Sequence, residues 1–454
     1  RKGAFFMGNI SCFKSYDIRG KVPSELNTDL AYKIGRGFAT LFTAKTVVIG
    51  RDIRTSSEEL SDALKKGLTE AGANVIDIGL CGTEMIYFGT SFLHADGGVM
   101  ITASHNPPEY NGMKFVKKSS VPVGYDSGLQ ELEQMILAGN IGEKCVVAGT
   151  VTEQDISDSF VQHLHTFFDV KKLKPMKVVC NAGNGCVGPM LEKLAPGLPV
   201  EIIPVYFQPD SSFPNGVPNP MIEENRVSTI EAIKAHKADL GVAWDGDYDR
   251  CFFFDEDGLF IEGYYIVGLL AKSILSQYPG ENVVHDPRLV WNTLEVVEAA
   301  GGKAVQSKSG HAFIKQKMRE VNAIYGGEMS AHHYFRDNAY SDSGLIPFFL
   351  VMQLMSVEGK KLSELVGEMM SKFPCSGEIN STVDDAKSKI AKAEEMYGGG
   401  EKDTTDGISV AYDDWRFNLR MSNTEPIIRL NVETRGNEEL MKQKTDELLK
   451  LIRG

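Results

Sequence analysis

One strand, helix, strand pattern recurs three times along most of this chain, and that recurrence restricts the fold more than any single motif does. The segments KTVVIGRD around Val47, MKVVCNAG around Val178 and ENVVHDPR around Val283 each set a short β-branched run before Gly, Asn, Asp or Pro. Such a run reads as a buried strand entering a loop. A second strand follows in each copy, GANVIDIG at Val75, GLPVEIIPV at Val200 and GGKAVQSK at Val305, after a stretch of helical character rich in Ala, Leu, Glu and Lys. The third strands are ADGGVMITASHN from Ala95, ADLGVAWDGDYD from Ala238 and the shorter NAIYGGEMS from Asn322. The first two align almost letter for letter: Asp96 falls on Asp239, Gly98 on Gly241, Val99 on Val242, and Ser104 comes into register with Asp247. Alternating strands and helices imply α/β domains with mixed, largely parallel sheets, whose ligand loops gather at the carboxyl ends of strands.

Beyond about residue 373 the pattern changes. DGISVAYDDWRFNLRMSNTEPIIRLNVETRG reads as strands with turns, and NEELMKQKTDELLKLI as an amphipathic helix with Glu438 and Glu439 where acidic groups suit the helix dipole. A length of 454 residues accommodates roughly three or four domains. The expected division is 1–148, 149–256 and 257–373 for three related α/β units, with a smaller α+β domain over 374–454.

A formal charge of −13 argues against nucleic acid as a partner, since phosphate backbones are held by an excess of Lys and Arg. An anionic small molecule requires basic residues concentrated in a few loops. No stretch approaches the roughly 18 apolar residues of a membrane span, and Leu345 to Met355 reads as a buried helix. The seven cysteines are scattered without a C-x-x-C pair, the pattern expected of reduced thiols in the cytoplasm. Arg1 to Phe6 has a basic pair but no apolar run of signal-peptide length and is left outside the fold reading.

Four loops carry chemistry. In TASHNPPEYNGMK, Ser104 sits just beyond a strand, Pro107 and Pro108 stop regular structure, and Asn111-Gly112 is expected to form a tight turn returning Lys114 toward the serine. A serine with a nearby lysine suits phosphoryl transfer. An acyl-transfer serine with His105 as base is the rival, opposed by the missing G-x-S-x-G elbow and by neighbouring side chains pointing apart on an extended chain. Alone, this loop also reads as a polar turn with a capping serine. In DGDYDR, Asp245, Asp247 and Asp249 crowd negative charge that a divalent cation would offset. An EF-hand would explain the spacing and Glu256 at its twelfth position, but Arg250 stands where glycine is needed and Cys251 to Phe254 is an apolar run. Three carboxylates with few other oxygens suit Mg²⁺ better.

The third loop, GGEMS, places Glu328 and Ser330 two apart on extended chain, an acceptor and a hydroxyl suited to vicinal sugar hydroxyls, with Gly326 and Gly327 allowing close backbone approach. In isolation it reads as an exposed polar loop. In RMSNTEP, Arg420, Ser422, Asn423 and Thr424 offer a guanidinium, two hydroxyls and an amide within one turn, as a phosphate site requires. KSGH from Lys308 to His311 and YDIRG from Tyr16 to Gly20 are shorter signals.

These loops, in this order, resemble the α-D-phosphohexomutase superfamily across essentially the whole chain, with TASHNP and DGDYDR the most specific elements. The resemblance implies three related α/β domains and a smaller C-terminal domain around a central cleft. It implies that Ser104 is phosphorylated and that Asp245, Asp247 and Asp249 hold one Mg²⁺ together with the phosphoryl oxygen on Ser104, with Arg250 facing the site. Glu328 and Ser330 would hold sugar hydroxyls, Arg420, Ser422, Asn423 and Thr424 the substrate phosphate, and Lys308 and His311 the ligand's orientation. Tyr16, Arg19, Lys114 and His332 match further active-site positions. GEMS resembles the phosphomannomutase/phosphoglucomutase branch, and the HHYFRD that follows resembles bacterial phosphomannomutases.

The implied reaction interconverts mannose 6-phosphate and mannose 1-phosphate through a phosphoserine enzyme and a hexose 1,6-bisphosphate; a glucose-specific or dual-specificity mutase is the alternative. His332 and Lys114 are the candidates for base and acid. Because the bisphosphate must reorient, the C-terminal domain is expected to move as a lid. A metal-dependent phosphohydrolase and a non-catalytic sugar-phosphate binding protein are the rival classes. The expected partner is a small sugar phosphate, without nucleic acid or membrane, for a monomer or weak dimer.

Overall fold

The computed structural model describes residues 9–422 and 427–454. The chain forms two compact units, one from the segment up to Leu259 together with Asp337–Val357, the other from Phe260–Arg336 together with Glu358–Gly454.

The three copies of the repeat share one strand order. In the first, Thr46–Arg51 lies between the parallel strands Asn74–Leu80 and Gly97–Ile101, and Tyr110–Lys117 runs antiparallel beyond Gly97–Ile101. In the second, Met176–Asn181 lies between Val200–Val205 and Leu240–Trp244, with Cys251–Phe254 antiparallel beyond. In the third, Asn282–His285 lies between Lys303–Gln306 and Tyr325–Gly327, followed by antiparallel His333–Phe335. Even the register is kept: Val47 pairs with Gly97, Val178 with Leu240 and Val283 with Tyr325. Just before the third strand, the N–H groups of Asp96, Asp239 and Ile324 donate to the carbonyls of Thr46, Lys177 and Asn282. One residue earlier, Ala95, Ala238 and Ala323 each donate back to the helix that precedes them, at Thr90, Ile233 and Met318.

Buried β-branched strands explain why the repeat is legible. Every residue of Gly97–Ile101 and Leu240–Trp244 is buried, as expected where helices cover both faces of a parallel sheet. Val47, Ile49, Val99 and Ile101 share one core with Ile34 and Phe38 of the helix Thr28–Phe42 and with Leu60, Leu64 and Leu68 of Ser57–Glu70. Each such side chain contributes about 1.5–3 kcal/mol when fully buried. The C-terminal region is antiparallel throughout, in the order Ile379–Thr382, Ile427–Thr434, Trp415–Met421, Ile408–Ala411, Glu401–Asp403. Its sheet packs Phe417, Leu419, Ile428 and Val432 with Met441, Leu448 and Ile452 of the helix Glu438–Arg453.

The apolar run near Leu345 forms the helix Ile346–Glu358, largely buried. Among the described residues no helix is long and apolar enough to cross a membrane. All seven cysteines are free thiols. One turn is not where the sequence suggests it. Asn111 and Gly112 lie inside the strand Tyr110–Lys117, and the reversal occupies the stretch before it, where Asn106 donates to Ala103 and Tyr110 to Pro107. Gly112 serves close strand packing instead, since a Cβ there would lie 2.1 Å from the carbonyl oxygen of Ile18.

Candidate active site

In the first unit, the loops after the two matching third strands meet. Ser104 follows Gly97–Ile101 by three residues and adopts φ 49°, a left-handed conformation uncommon for a residue with a side chain. Its N–H donates to Thr102 Oγ1 at 2.8 Å, and its hydroxyl donates to Asp245 Oδ2 at 2.8 Å. Gly246 lies against it so closely that a Cβ there would sit 2.5 Å from the Ser104 carbonyl oxygen. The bend also turns the serine hydroxyl toward His105. Because Ser104 is not extended, its Oγ and His105 Nδ1 are 3.1 Å apart rather than turned away from each other. His105 nonetheless has another role, accepting from Arg250 Nη2 at 2.6 Å. Burial and the Arg250 charge hold the imidazole well below its usual range, so the ring stays neutral.

Asp245, Asp247 and Asp249 are buried, and each presents one carboxylate oxygen within 4.8 Å of the others. Burial, then the neighbouring carboxylates, push Asp245 up to about 7 against the pull of Arg250, whose Nε donates to Asp245 Oδ2 at 2.9 Å. Burial works against the charge of Asp247 as well, but Lys114 and Thr83 hold it below the usual carboxylate range. Lys114 is brought to this loop and not to the serine hydroxyl: Nζ donates to Asp247 Oδ2 at 2.7 Å and to Asp249 Oδ2 at 2.6 Å. Although burial opposes it, these two carboxylates raise the ammonium's pKa and keep it charged. Among the described residues, Asp247 Oδ1 is buried without a hydrogen-bond partner. An all-oxygen, triply acidic set with an oxygen left unsatisfied fits a small hard cation such as Mg²⁺.

Arg19 donates to Asn106 Oδ1 at 2.7 Å and to the Ala103 carbonyl at 3.3 Å, so it supports the serine loop from the strand Ile18–Lys21, while Tyr16 is half-buried just before it. Two residues here went unnoticed in the sequence. Thr83, at the start of the helix Thr83–Phe92, donates its N–H to the Asp247 carbonyl at 3.0 Å and its hydroxyl to the Asp247 carboxylate. Arg54 donates to main-chain carbonyls of the serine loop, among them Ser104 at 2.9 Å. Both stand just beyond the carboxyl ends of strands, where ligand loops are expected.

The second unit gathers arginines. Arg288, buried just after the strand Asn282–His285, donates to Asp286 Oδ1 at 3.0 Å, Glu378 Oε2 at 3.2 Å, Glu328 Oε1 at 3.3 Å and Ser330 Oγ at 3.1 Å. Glu328 and Ser330 therefore converge on one guanidinium, but from a turn rather than extended chain, because Ala331 N–H closes back on the Glu328 carbonyl. Gly326 and Gly327 lie in the strand and meet packed side chains of Met318 and Val267, not a ligand face. Glu328 also accepts from Tyr334 Oη at 2.5 Å and Gly310 N–H at 2.7 Å, and burial raises its pKa. His332 Nδ1 lies 3.5 Å from Glu328 Oε2 and 3.4 Å from Ser330 Oγ. Lys308 lies over the Phe313 ring at 5.8 Å, and His311 opens the helix His311–Val321.

Arg420, paired across the sheet with Arg429, would be an unfavourable neighbour to it without an anion between them. Glu378 supplies one, at 3.3 Å from Arg420 Nη2 and 3.4 Å from Arg429 Nη1. Burial opposes the charge of Glu378, yet Arg288, Arg420 and Arg429 bring its pKa down to about 2. Ser422 continues the strand end through its N–H to the Ile427 carbonyl at 2.8 Å. Asn423 and Thr424 lie outside the described residues. Arg288 and Glu378 were not singled out by sequence, though the charged DPR after a buried strand was the available signal.

A thrice-repeated α/β scaffold followed by an antiparallel C-terminal domain is the architecture of the phosphosugar mutases whose family models match the chain. Residues 11–140, 158–258 and 262–373 match the phosphoglucomutase/phosphomannomutase α/β/α domains I, II and III, and residues 378–450 match the C-terminal domain. The chain belongs to the phosphoglucomutase/phosphomannomutase family. It is 54% identical over 449 residues to the phosphohexose mutases of Xanthomonas campestris pv. campestris strain B100, covering 98% of this chain and 100% of that one. It is 51% identical over 454 residues to the phosphomannomutase of Salmonella montevideo, with 98% and 100% covered. The crystal structure of a phosphoglucomutase/phosphomannomutase family protein from Burkholderia thailandensis superposes with a TM-score of 0.87 at 31% identity, covering 98% of each chain.

Proposed function

We propose that this protein interconverts mannose 6-phosphate and mannose 1-phosphate, with Ser104 as the phosphoryl carrier. The observation that carries the reading is the Ser104 hydroxyl aimed at the buried triad, 2.8 Å from Asp245. The phosphomannomutase named among full-length relatives at 51% identity supports mannose as the sugar.

In this reading Asp245, Asp247 and Asp249 hold Mg²⁺. When bound, the ion supplies positive charge to the phosphoryl group in flight. The phosphoryl–Oγ bond of phosphoserine 104 breaks as a bond to the free sugar hydroxyl forms, giving a hexose 1,6-bisphosphate; after reorientation its other phosphoryl group returns to Ser104. Arg250, on Asp245 and His105, and Lys114, on Asp247 and Asp249, contribute fixed positive charge to the triad. Lys114, kept protonated by two carboxylates, suits a cation or proton donor and not a base. His332, oriented through Nδ1 by Glu328, is the base that takes the sugar hydroxyl proton. Glu328, Ser330, Lys308 and His311 face the sugar, with Tyr16 and Arg19 near the serine, and Arg420 with Ser422, Asn423 and Thr424 takes the non-reacting phosphate.

Intact-mass and peptide measurement of phosphate on Ser104, with assays on mannose 1-phosphate and glucose 1-phosphate, tests this. Ser104→Ala is expected to be inactive without added bisphosphate. Full activity in that variant refutes the carrier role, and equal rates on the two sugars replace the mannose assignment with dual specificity.

A further inference from the structure

Ser104 is held in a left-handed backbone conformation, φ 49°, and one buried side chain binds its carbonyl and the loop that follows. Arg54 lies in the loop that follows Thr46–Arg51, with 3% of its surface exposed. Its guanidinium donates to four main-chain carbonyls of the serine loop: Nη2 to Ser104 at 2.9 Å and Asn106 at 2.6 Å, Nη1 to Pro107 at 2.8 Å and Tyr110 at 3.0 Å. The guanidinium is itself fixed. Asp52 Oδ2 lies 3.4 Å from Nε, Asp52 Oδ1 accepts from the Arg54 N–H at 3.0 Å and from Ser57 Oγ at 2.5 Å, and the Phe213 ring lies 5.5 Å away. Asp52 N–H in turn donates to the Ile101 carbonyl at 3.0 Å, the last residue of the strand that delivers Ser104.

We infer that Arg54 is a positioning residue for phosphoryl transfer: its planar fork fixes the Ser104 carbonyl in the left-handed conformation and so aims Oγ at the Asp245 loop. The geometry requires arginine. A residue with a side chain visits φ near 50° only when its surroundings impose it. Here the N–H is held by Thr102, while the carbonyl is held by Arg54 and hemmed in by Gly246. Lysine carries the same charge but presents its donors from one point, so it cannot span four carbonyls spread over Ser104 to Tyr110.

The inference rests on Ser104 being the phosphoryl carrier, and the experiment separates the two. Arg54→Lys is compared with wild type in single-turnover phosphorylation of Ser104 by glucose 1,6-bisphosphate, in steady-state turnover and in Mg²⁺ affinity. The expected result is a loss in kcat and in the phosphorylation rate on the order of a hundredfold. KM for the sugar phosphate should stay within about threefold, and Mg²⁺ affinity unchanged, which a general loss of structure would not allow. Asp52→Asn keeps the guanidinium but loosens its anchor, and should give the same pattern at about tenfold; it is read by the same criteria if Arg54→Lys does not fold. Wild-type phosphorylation rates in the variants, or a loss confined to KM, overturn the inference alone. A wild-type enzyme that turns over with no phosphate ever on Ser104 overturns both readings.

Discussion

The two units face opposite electrostatic problems. In the first, three buried carboxylates are crowded into five residues, and Lys114 and Arg250 offset a surplus of negative charge. In the second, Arg288, Arg420 and Arg429 converge, and Glu378 offsets a surplus of positive charge. The lesson is that each cluster carries a resident counter-ion whose removal should expose what the cluster is for. A carboxylate set is suited to holding a cation near a reacting phosphoryl group; an arginine set is suited to gripping a phosphate that does not react.

The sharpest break in this division is Asp247→Asn, which leaves the arginine cluster intact. It is expected to lower kcat on the order of a thousandfold, with KM for the sugar phosphate little changed, as steady-state assays across Mg²⁺ concentrations would reveal. Glu378→Gln removes the counter-ion of the other cluster. A folded-state pKa depressed from 4.5 to about 2 stabilises the fold above the unfolded value, and that stability is lost as pH falls through the folded one. Urea titrations at pH 7 should therefore show the variant about 3 kcal/mol less stable, with the gap shrinking as pH is lowered from about 4.5 toward 2. Arg420→Ala should raise KM for the sugar phosphate by roughly 10- to 100-fold, while mass spectrometry still finds phosphate on Ser104. The mildest effect belongs to a site in neither cluster. Asn437 caps the helix Glu438–Arg453 by accepting from Leu440 N–H at 2.9 Å, so Asn437→Ala should cost about 1 kcal/mol in thermal or urea melts and leave kcat and KM alone.

What could be read in the sequence follows the same line between backbone and charge. The repeat was legible because a fully buried parallel strand must be a β-branched run, and Val47, Val178 and Val283 announce it three times; the shared register with Gly97, Leu240 and Tyr325 is its structural counterpart. Ser104, Asp245, Asp247 and Asp249 could be found because their chemistry is concentrated locally. Arg54, Thr83 and Glu378 could not, since each acts on residues distant along the chain; Arg288 follows a buried strand in a charged DPR, but the carboxylates it gathers at Glu328 and Glu378 lie 40 and 90 positions away. Arg54, for instance, grips carbonyls some fifty positions later, from Ser104 to Tyr110. The Asn111-Gly112 turn failed for a further reason: the dipeptide favours turns, but tertiary contact with Ile18 needed a glycine within a strand.

The first unit is not a continuous stretch of chain, since Asp337–Val357 returns to it after an excursion through Phe260–Arg336. During synthesis, then, a nascent chain that has reached Leu259 has every residue of the acidic triad but not the pieces that finish the unit around it. The Trp244 indole still lacks its acceptor at Gly344, Glu84 lacks the Ser343 hydroxyl, and Phe168 lacks the ring of Phe349 that stacks on it at 4.1 Å. The first unit is complete only once Asp337–Val357 has been made, so a truncation at the apparent boundary near residue 259 is expected to leave its core unfinished.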